Sequence, residues 1–275
     1  MPKAKIDPSC ELFYDIHDFS DPWKEPEVVL LHHAAAGSVS RWHHWVPRLA
    51  RHFKVVRFDA RGHDRSTVPP PDHRWDIESM AADVDKLLQV LNIDQVHFIG
   101  ASAGGIIGQQ FAATFPERVK SLVLIAAKPG MAHSNVDYAQ WREVLNTKGV
   151  KALFDEQIPI RFDPERDDPG LIEWFNAEAA KTPVSVLTTM VPYLATVDLV
   201  PILPQIQAPT LIISAGHDPL EGESTDQLLL DHIPRVERVV LEVKGHNISN
   251  SAPDLCLDAV FAFYRKLEIQ GLERA

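Results

Sequence analysis

The chain has 275 residues, of which 45% are hydrophobic and 24% are charged, a composition typical of a globular protein with a large core. Its 38 acidic and 27 basic residues give a formal net charge of −11, which argues against non-specific binding to nucleic acid or to a membrane surface. No run approaches the roughly 18 apolar residues of a transmembrane helix, and the N-terminus lacks the apolar stretch of a signal peptide. Since two cysteines, Cys10 and Cys256, imply no disulfide framework, we expect a cytoplasmic protein.

Short apolar runs that predict buried strands alternate with helical patterns along the chain. The runs are continuous, as expected for parallel strands that are covered on both faces. They occupy residues 27–31, 53–58, 95–100, 121–126, 210–214 and 238–243. Helical periodicity with one apolar side falls at 79–91 and 252–267. This alternation predicts an α/β fold with a mostly parallel, doubly wound sheet.

Residues 131–205 interrupt the alternation of strands and helices. The stretch is helix-like, contains no strand run and carries scattered prolines. We interpret it as a helical cap inserted between two strands of a core that is formed by residues 1–130 and 206–275.

The pentapeptide from Gly100 to Gly104 has the pattern G-x-S-x-G, with Ser102 at its centre. A strand-like run precedes it and a helix-like run follows it, which is the context that a nucleophile elbow requires. Small neighbours permit a sharp turn that lifts the hydroxyl above the sheet and directs a helix N-terminus at the reacting atom. If the pentapeptide has no catalytic role, the same residues form an ordinary Gly/Ala-rich turn between a strand and a helix.

A serine hydroxyl needs a base, and a carboxylate must hold that base in the correct tautomer. In such a sheet the partners follow in the order Ser, Asp or Glu, His. Asp218 and His246 each follow a predicted strand, at the end where parallel sheets bind ligands. We predict Ser102, Asp218 and His246 as catalytic residues, with Asp198 as the alternative acid. Taken singly, Asp218 would be a turn residue and His246 a surface or capping histidine.

An acyl-transfer site also needs two N–H donors for the oxyanion. The amide of Ala103, directly after the predicted nucleophile, is the first candidate. The second lies in the loop after the first buried strand, where we choose Ala35, or Ala34 if the register shifts by one. His33 is expected to brace this loop by hydrogen bonding.

Side chains of the cap are expected to shape the substrate pocket. The predicted pocket residues comprise apolar walls, His33 and two arginines that could meet a substrate carboxylate: His33, Trp141, Arg142, Arg161, Phe162, Trp174 and Met190. Ordinary packing or surface ion pairs would also explain these residues. The adjacent histidines at 32–33 and 43–44 lack metal-ligand spacing, and the glycines at 100–105 lack dinucleotide-binding spacing, so no metal or cofactor is predicted.

These motifs together resemble the α/β-hydrolase fold superfamily over about residues 27–267. The resemblance is carried by the segments 33–35, 59–63, 100–105 and 115–119, by Asp218 and by the pair Gly245-His246. Within the superfamily, the segments 57–63 and 115–119 are similar to the β-ketoadipate enol-lactonase-like group. The chain departs from the family at Ala34 and Asp64, where glycine is usual, and at Ser251, where glutamate is frequent.

The resemblance implies hydrolysis of a small carboxylic ester or lactone through an acyl-enzyme on Ser102, without a cofactor. Two alternatives stay open. One is a C–C bond hydrolase that acts on ring-cleavage diketones with the same three residues, and the other is a ligand-binding or receptor member of the fold that does not turn over. A panel of p-nitrophenyl esters, lactones and diketones separates the two enzymes, and tight binding with very slow turnover would indicate the receptor.

Overall fold

An eight-stranded sheet organises the computed structural model, which describes residues 2–132, 136–220 and 223–268. The strands lie in the order β1-β2-β4-β3-β5-β6-β7-β8. Their bounds are Lys3–Asp7 (β1), Cys10–His17 (β2), Val28–His32 (β3), Lys54–Phe58 (β4), Val96–Ala101 (β5), Val119–Ile125 (β6), Thr210–His217 (β7) and Val236–Lys244 (β8). Strands β1 and β2 pair antiparallel, as do β2 and β4, and every pair from β4 to β8 is parallel. The predicted α/β fold with a mostly parallel sheet is confirmed.

The central strands are continuous apolar runs because both of their faces are covered. In β3, Leu30 packs into the core on one side of the sheet, while Leu31 packs into the core on the other side. In β5, Phe98 and Ile99 divide in the same way. All six residues of β5 are buried, which places the strand that leads to Ser102 at the centre of the sheet.

Helices cover both faces of the sheet. Helices α2, α3 and α8 pack on one face, and α1 and α10 pack on the other. Helix α2 begins where the side chain of Asp76 accepts a hydrogen bond from the Ser79 amide at 3.0 Å. The helices are Val46–Leu49 (α1), Ile77–Val90 (α2), Ala103–Thr114 (α3), Tyr138–Glu156 (α4), Ile158–Arg161 (α5), Pro169–Ala179 (α6), Val184–Leu194 (α7), Glu223–His232 (α8), Ile248–Ser251 (α9) and Pro253–Lys266 (α10), with 3-10 helices at Val39–Trp42, Pro116–Arg118 and Val200–Gln205.

The described residues between β6 and β7 form helices α4 to α7 and a 3-10 helix. Helix α4 is broken at Gly149, whose φ of 84° and ψ of 178° are not helical. Phe175 of α6 contacts the rings of Phe154 and Phe162, with ring centroids 6.2 and 5.0 Å apart. These aromatic contacts join α4, α6 and the end of α5. The division of the chain into a core and a cap at 131–205 stays a prediction.

Both cysteines, Cys10 and Cys256, are buried free thiols. Over the described part of the chain, no helix combines the length and the apolar character that a bilayer span requires.

Candidate active site

Ser102 occupies a sharp turn between β5 and α3. Its backbone has φ 48° and ψ −117°, a left-handed conformation that L side chains rarely adopt. The Ser102 amide donates to the Ile125 carbonyl at 2.9 Å, which ties the turn to the end of β6. Its side chain makes no capping bond to α3, so the hydroxyl is available to other partners.

The glycines around Ser102 are required by close packing. A Cβ atom at Gly104 would lie 2.3 Å from the His32 carbonyl oxygen, and one at Gly100 would lie 2.5 Å from the Gly104 oxygen. Only glycine lets α3 start this close to β3 and β5. The strand, sharp turn and helix predicted from the pentapeptide are therefore present.

Three residues far apart in the chain meet at this edge of the sheet. Ser102 Oγ lies 2.9 Å from His246 Nε2, and His246 Nδ1 lies 2.7 Å from Asp218 Oδ2. With the proton on Nδ1, the imidazole donates to Asp218 and accepts from Ser102. The His246 and Asp218 side chains are only 6% and 5% exposed. The second oxygen of Asp218 accepts the Leu220 amide at 2.9 Å, which fixes the carboxylate.

The loop that carries His246 is held by the backbone of α5. The His246 amide donates to the Ile160 carbonyl at 3.2 Å, and the Asn247 amide donates to the Arg161 carbonyl at 3.0 Å. Gly245 permits this approach, because its φ is 101° and a Cβ there would lie 2.8 Å from the Arg161 oxygen. The main chain of α5 therefore positions the imidazole.

The predicted oxyanion residues lie beside Ser102. Ala34, Ala35 and Ala103 line the same pocket as Ser102 and His246. Ala103 is the first residue of α3, so its amide has no acceptor within the helix.

His33 connects the loop after β3 to the loop after β4. Its Nδ1 donates to the Ala34 carbonyl at 2.8 Å, and its Nε2 accepts the Ala60 amide at 2.9 Å. Burial holds the pKa of His33 well below its ordinary value, so the ring is neutral at pH 7. Both ring nitrogens are satisfied in this state.

The main pocket opens above Ser102 and has a volume of about 90 Å³, several times the space of one water molecule. Its wall is mostly apolar, with contributions from α3, α4, α6 and α7. Two cationic residues, Lys128 and Arg161, also line it. Lys128 Nζ donates to the Leu220 carbonyl.

Arg161 is a buried cation in the pocket wall. Its Nε and Nη2 both donate to Gln157 Oε1, at 2.9 and 2.6 Å. Burial lowers the pKa of Arg161 to about 10, which leaves the guanidinium charged at pH 7. Its hydrogen-bond partner is a neutral amide, so this charge is not neutralised by a directly bonded carboxylate.

The seven residues predicted for the pocket lie in the main pocket, in a smaller cavity or in neither. Trp141 and Arg161 line the main pocket. His33 and Met190 line a smaller cavity that also touches Ala34 and Ala35.

The other three predicted pocket residues lie elsewhere, since none lines the main pocket. Arg142 is exposed on α4. Phe162 is fully buried against Phe175, and Trp174 packs edge-on against His43 with centroids 4.8 Å apart. Asp198, the alternative acid, accepts the amide of Val200 at 3.0 Å.

Several pocket residues escaped the sequence analysis. Phe154 and Phe175 form part of the wall, and Asn247 follows His246 directly. The position of Asn247 beside the predicted base was an available signal. The two phenylalanines gave none, because the sequence does not reveal which side of each cap helix faces Ser102. Among the described residues, no group of three or more histidine, cysteine or acidic side chains could hold a metal ion.

Comparison with known proteins gives consistent matches. A family model described as alpha/beta hydrolase fold matches residues 27–252. The 3-oxoadipate enol-lactonase 2 of Acinetobacter baylyi is 30% identical over 217 residues, which cover 78% of this chain and 79% of that protein. A RutD protein of Stutzerimonas stutzeri, whose name proposes carbamate hydrolysis, is 28% identical over 255 residues, covering 88% of this chain and 93% of that protein. The crystal structure of the enol-lactonase from Burkholderia xenovorans LB400 superposes with a TM-score of 0.86 at 26% identity, covering 96% of this chain and 100% of that chain.

Proposed function

The chain belongs to the α/β-hydrolase fold family, and from this premise we propose that it is a serine hydrolase of small carboxylic esters or lactones. The observation that carries the proposal is the continuous hydrogen-bonded series from Ser102 through His246 to Asp218. This arrangement is the one that activates a serine hydroxyl for acyl transfer.

In the proposed first half-reaction, Ser102 Oγ attacks the substrate carbonyl carbon. His246 Nε2 takes the hydroxyl proton, and Asp218 stabilises the resulting imidazolium. The carbonyl oxygen becomes an oxyanion, which the amides of Ala103 and Ala35 receive. When the oxyanion collapses, the bond to the alcohol oxygen breaks and His246 returns its proton to the leaving alkoxide.

The second half-reaction consumes water. His246, again neutral, takes a proton from a water molecule, whose oxygen attacks the acyl carbon. Collapse of the second oxyanion breaks the bond to Ser102 Oγ, which recovers its proton from His246. The products are the carboxylic acid and the free enzyme, and no cofactor takes part.

The pocket supports a substrate with an apolar body. Residues 131–205 would act as the cap that shapes this pocket, with Trp141 as part of its wall. Arg161 is the residue that we propose to meet a carboxylate of the substrate, because its charge is directly bonded only to a neutral amide. The likeness to enol-lactonases favours a lactone ring as the reacting group.

A substrate panel and one variant test the proposal. Wild-type enzyme should hydrolyse p-nitrophenyl esters or simple lactones faster than ring-cleavage diketones. Ser102→Ala should lower kcat by about 10³-fold or more, because the three residues act as a unit. Ser9→Ala, at an exposed serine of the β1–β2 turn, is the matched control and should keep full activity.

A serine-reactive phosphonate identifies the nucleophile independently of substrate choice. It should label Ser102 in the wild-type protein and leave Ser102→Ala unlabelled. Near-native ester hydrolysis by Ser102→Ala would overturn the mechanism, and tight ligand binding without turnover would favour a receptor.

A further inference from the structure

A third cavity, smaller than the one that Met190 lines, adjoins the main pocket, and we refer to it as the side cavity. It is lined by Ser102, Phe175, His246 and Asn247, which also line the main pocket, and by Arg41 and Trp42, among others. Its volume is about 10 Å³, against about 90 Å³ for the main pocket. Any ligand of the side cavity therefore lies next to the proposed nucleophile and base.

Arg41 brings an incompletely paired cation to the side cavity. The residue is only 4% exposed. Its Nη2 donates to two backbone carbonyls, those of Phe175 at 2.9 Å and Ala36 at 3.3 Å, and its Nη1 has no acceptor among the described residues. The carboxylate of Glu178 acts on this charge electrostatically, and it forms its own ion pair with Lys181 at 2.5 Å.

Two further residues of the same cavity carry a buried donor. The indole nitrogen of Trp42 and the side-chain nitrogen of Asn247 have no acceptor within the described parts of the chain. Trp42 is 1% exposed and Asn247 is 6% exposed, so bulk water does not accept hydrogen bonds from these two nitrogens. Leaving a buried donor unpaired costs about 1–3 kcal/mol.

The set of three donors selects the kind of occupant. One water molecule has two acceptor lone pairs and two hydrogens that need acceptors of their own, so it cannot satisfy all three N–H groups. A monatomic anion accepts hydrogen bonds from every side and also neutralises the guanidinium of Arg41. Sulfate carries two negative charges and phosphate between one and two at pH 7, whereas Arg41 supplies one positive charge, so a monovalent anion matches the charge of this side chain.

We propose that the side cavity is a binding site for one small monovalent anion of the halide class, held by Arg41 Nη1, Trp42 Nε1 and Asn247 Nδ2. The site goes beyond the hydrolase function, since it requires neither a substrate nor acyl transfer. Its ligand reaches the cavity from the main pocket, with which the side cavity shares Ser102, His246 and Asn247.

A crystal of the wild-type protein soaked in sodium bromide gives the decisive measurement. Bromide scatters anomalously, and the proposal requires an anomalous peak in the side cavity within hydrogen-bond distance of the three donors. A side cavity that holds only water in bromide-soaked crystals would overturn the proposal.

Thermal unfolding at constant ionic strength and scan rate gives a second test in solution. Chloride or bromide should raise Tm by about 2–4 °C over sulfate, since a ligand that binds only the folded state stabilises it. Arg41→Gln should abolish this difference. The matched control Arg51→Gln, at an exposed arginine that pairs with Asp21, should retain it.

Trp42→Phe removes one donor and keeps a ring in the core, which covers the case that Arg41→Gln does not fold. In this variant, the halide concentration needed for the same rise in Tm should be at least twofold higher than in the wild type. An unchanged halide response in this variant would contradict the assigned ligands. Both readouts are independent of hydrolysis, so their failure is distinguishable from failure of the proposed hydrolase function.

Discussion

Ser102 has backbone angles that suit glycine better than serine, and the same angles present its hydroxyl to His246. A non-glycine residue with a left-handed φ stores roughly 1–3 kcal/mol of strain when its surroundings hold it there. The hydrogen bond from the Ser102 amide to the Ile125 carbonyl and the close packing of Gly104 against β3 hold the turn in this conformation.

The strain can be measured by comparing two variants of Ser102. Both Ser102→Gly and Ser102→Ala lose the hydroxyl and should be inactive. Ser102→Gly alone relieves the backbone, so we expect it to be about 1 kcal/mol more stable than Ser102→Ala. Denaturant unfolding checks this difference, and equal stability of the two variants would show that the turn is unstrained.

Asp218→Asn tests the orientation of the imidazole. An amide at this position can donate to His246 Nδ1, which shifts the proton to Nε2 and leaves no base facing Ser102. If the proposed mechanism holds, we expect kcat to fall by about 10³–10⁴-fold with little change in KM or fold, as in known Ser-His-Asp enzymes. Asp198→Asn, at the alternative acid, should keep most of the activity, and the reverse result would exchange the two roles.

Arg161→Met tests the proposed contact with a substrate carboxylate. For an ester that carries a carboxylate, KM should rise about 10-fold or more, whereas KM for the matched neutral ester should change little. Arg142→Met is the control, because Arg142 is exposed on α4. An equal effect of Arg161→Met on both esters would assign the guanidinium to packing alone.

At the scale of residues, the sequence predicts the convergence of Ser102, Asp218 and His246 better than it predicts the lining of the pocket. Ser102, Asp218 and His246 each follow a strand of a parallel sheet, so chain order alone predicts that they meet at one edge. Arg142 and Arg161 could not be told apart, because their positions depend on how α4 and α5 are rotated on the core. The break at Gly149 removes the regular periodicity from which that rotation could be inferred.

Among the elements, the four-residue helix α5 contacts both the loop that carries His246 and the main pocket. Its carbonyls accept the amides of His246 and Asn247, while its last residue, Arg161, lines the main pocket. One short helix thus joins the proposed base to the proposed substrate contact.

Gly245→Ala should displace α5 from the loop that carries His246. The new Cβ would lie 2.8 Å from the Arg161 oxygen, and the φ of 101° is also unfavourable for alanine. Gly149→Ala is the matched control, because its φ is 84° but a Cβ there meets no atom within 4 Å.

Both substitutions should destabilise the fold by about 1–2 kcal/mol through the backbone conformation. Gly245→Ala should lose about 1–3 kcal/mol more from the clash, together with most of its activity. Chemical denaturation and kcat report the two effects separately. Similar losses in both variants would mean that contact with α5 does not matter.

Strands β1 and β2 are the two strands that the sequence analysis did not predict. In β1, exposed Lys3 and Lys5 alternate with buried Ala4 and Ile6, over only five residues. Such a short alternation at an antiparallel edge lacks the continuous apolar run that identified the six other strands.

Across the whole molecule, a second polar network lies at the opposite end of the sheet from Ser102. Glu27 accepts hydrogen bonds from His97 at 3.3 Å and from Lys120, and His97 also pairs with Ser121 at 2.8 Å. The hydrogen bond from His97, followed by that from Lys120, lowers the pKa of Glu27 from 4.5 to about 2. The folded state therefore favours the carboxylate.

Because the pKa of Glu27 is lower in the folded state, the contribution of this network to the free energy of unfolding depends on pH. Since the pKa is lower in the folded state, the stabilisation is complete above about pH 4.5 and is lost as the pH falls towards 2. Glu27→Gln should reduce the free energy of unfolding at pH 7 by about 1–2 kcal/mol, less than full linkage because the group is partly solvated.

The difference between wild type and Glu27→Gln should vanish near pH 2, as measured by urea denaturation across this range. Glu25→Gln, at an exposed neighbour, should show neither effect. A Glu27→Gln deficit that stays constant down to pH 2 would contradict the assignment.

The attachment of α5 to the His246 loop limits how new specificities could be engineered into this scaffold. A chimaera that imports residues 138–205 from a relative would replace the carbonyls of Ile160 and Arg161 along with the pocket wall. Unless the donor segment offers acceptors at the same two places, the graft would misalign the imidazole while it reshapes the recognition surface. Exchanging α4, α6 and α7 while retaining residues 157–162 of the host would decouple the two properties.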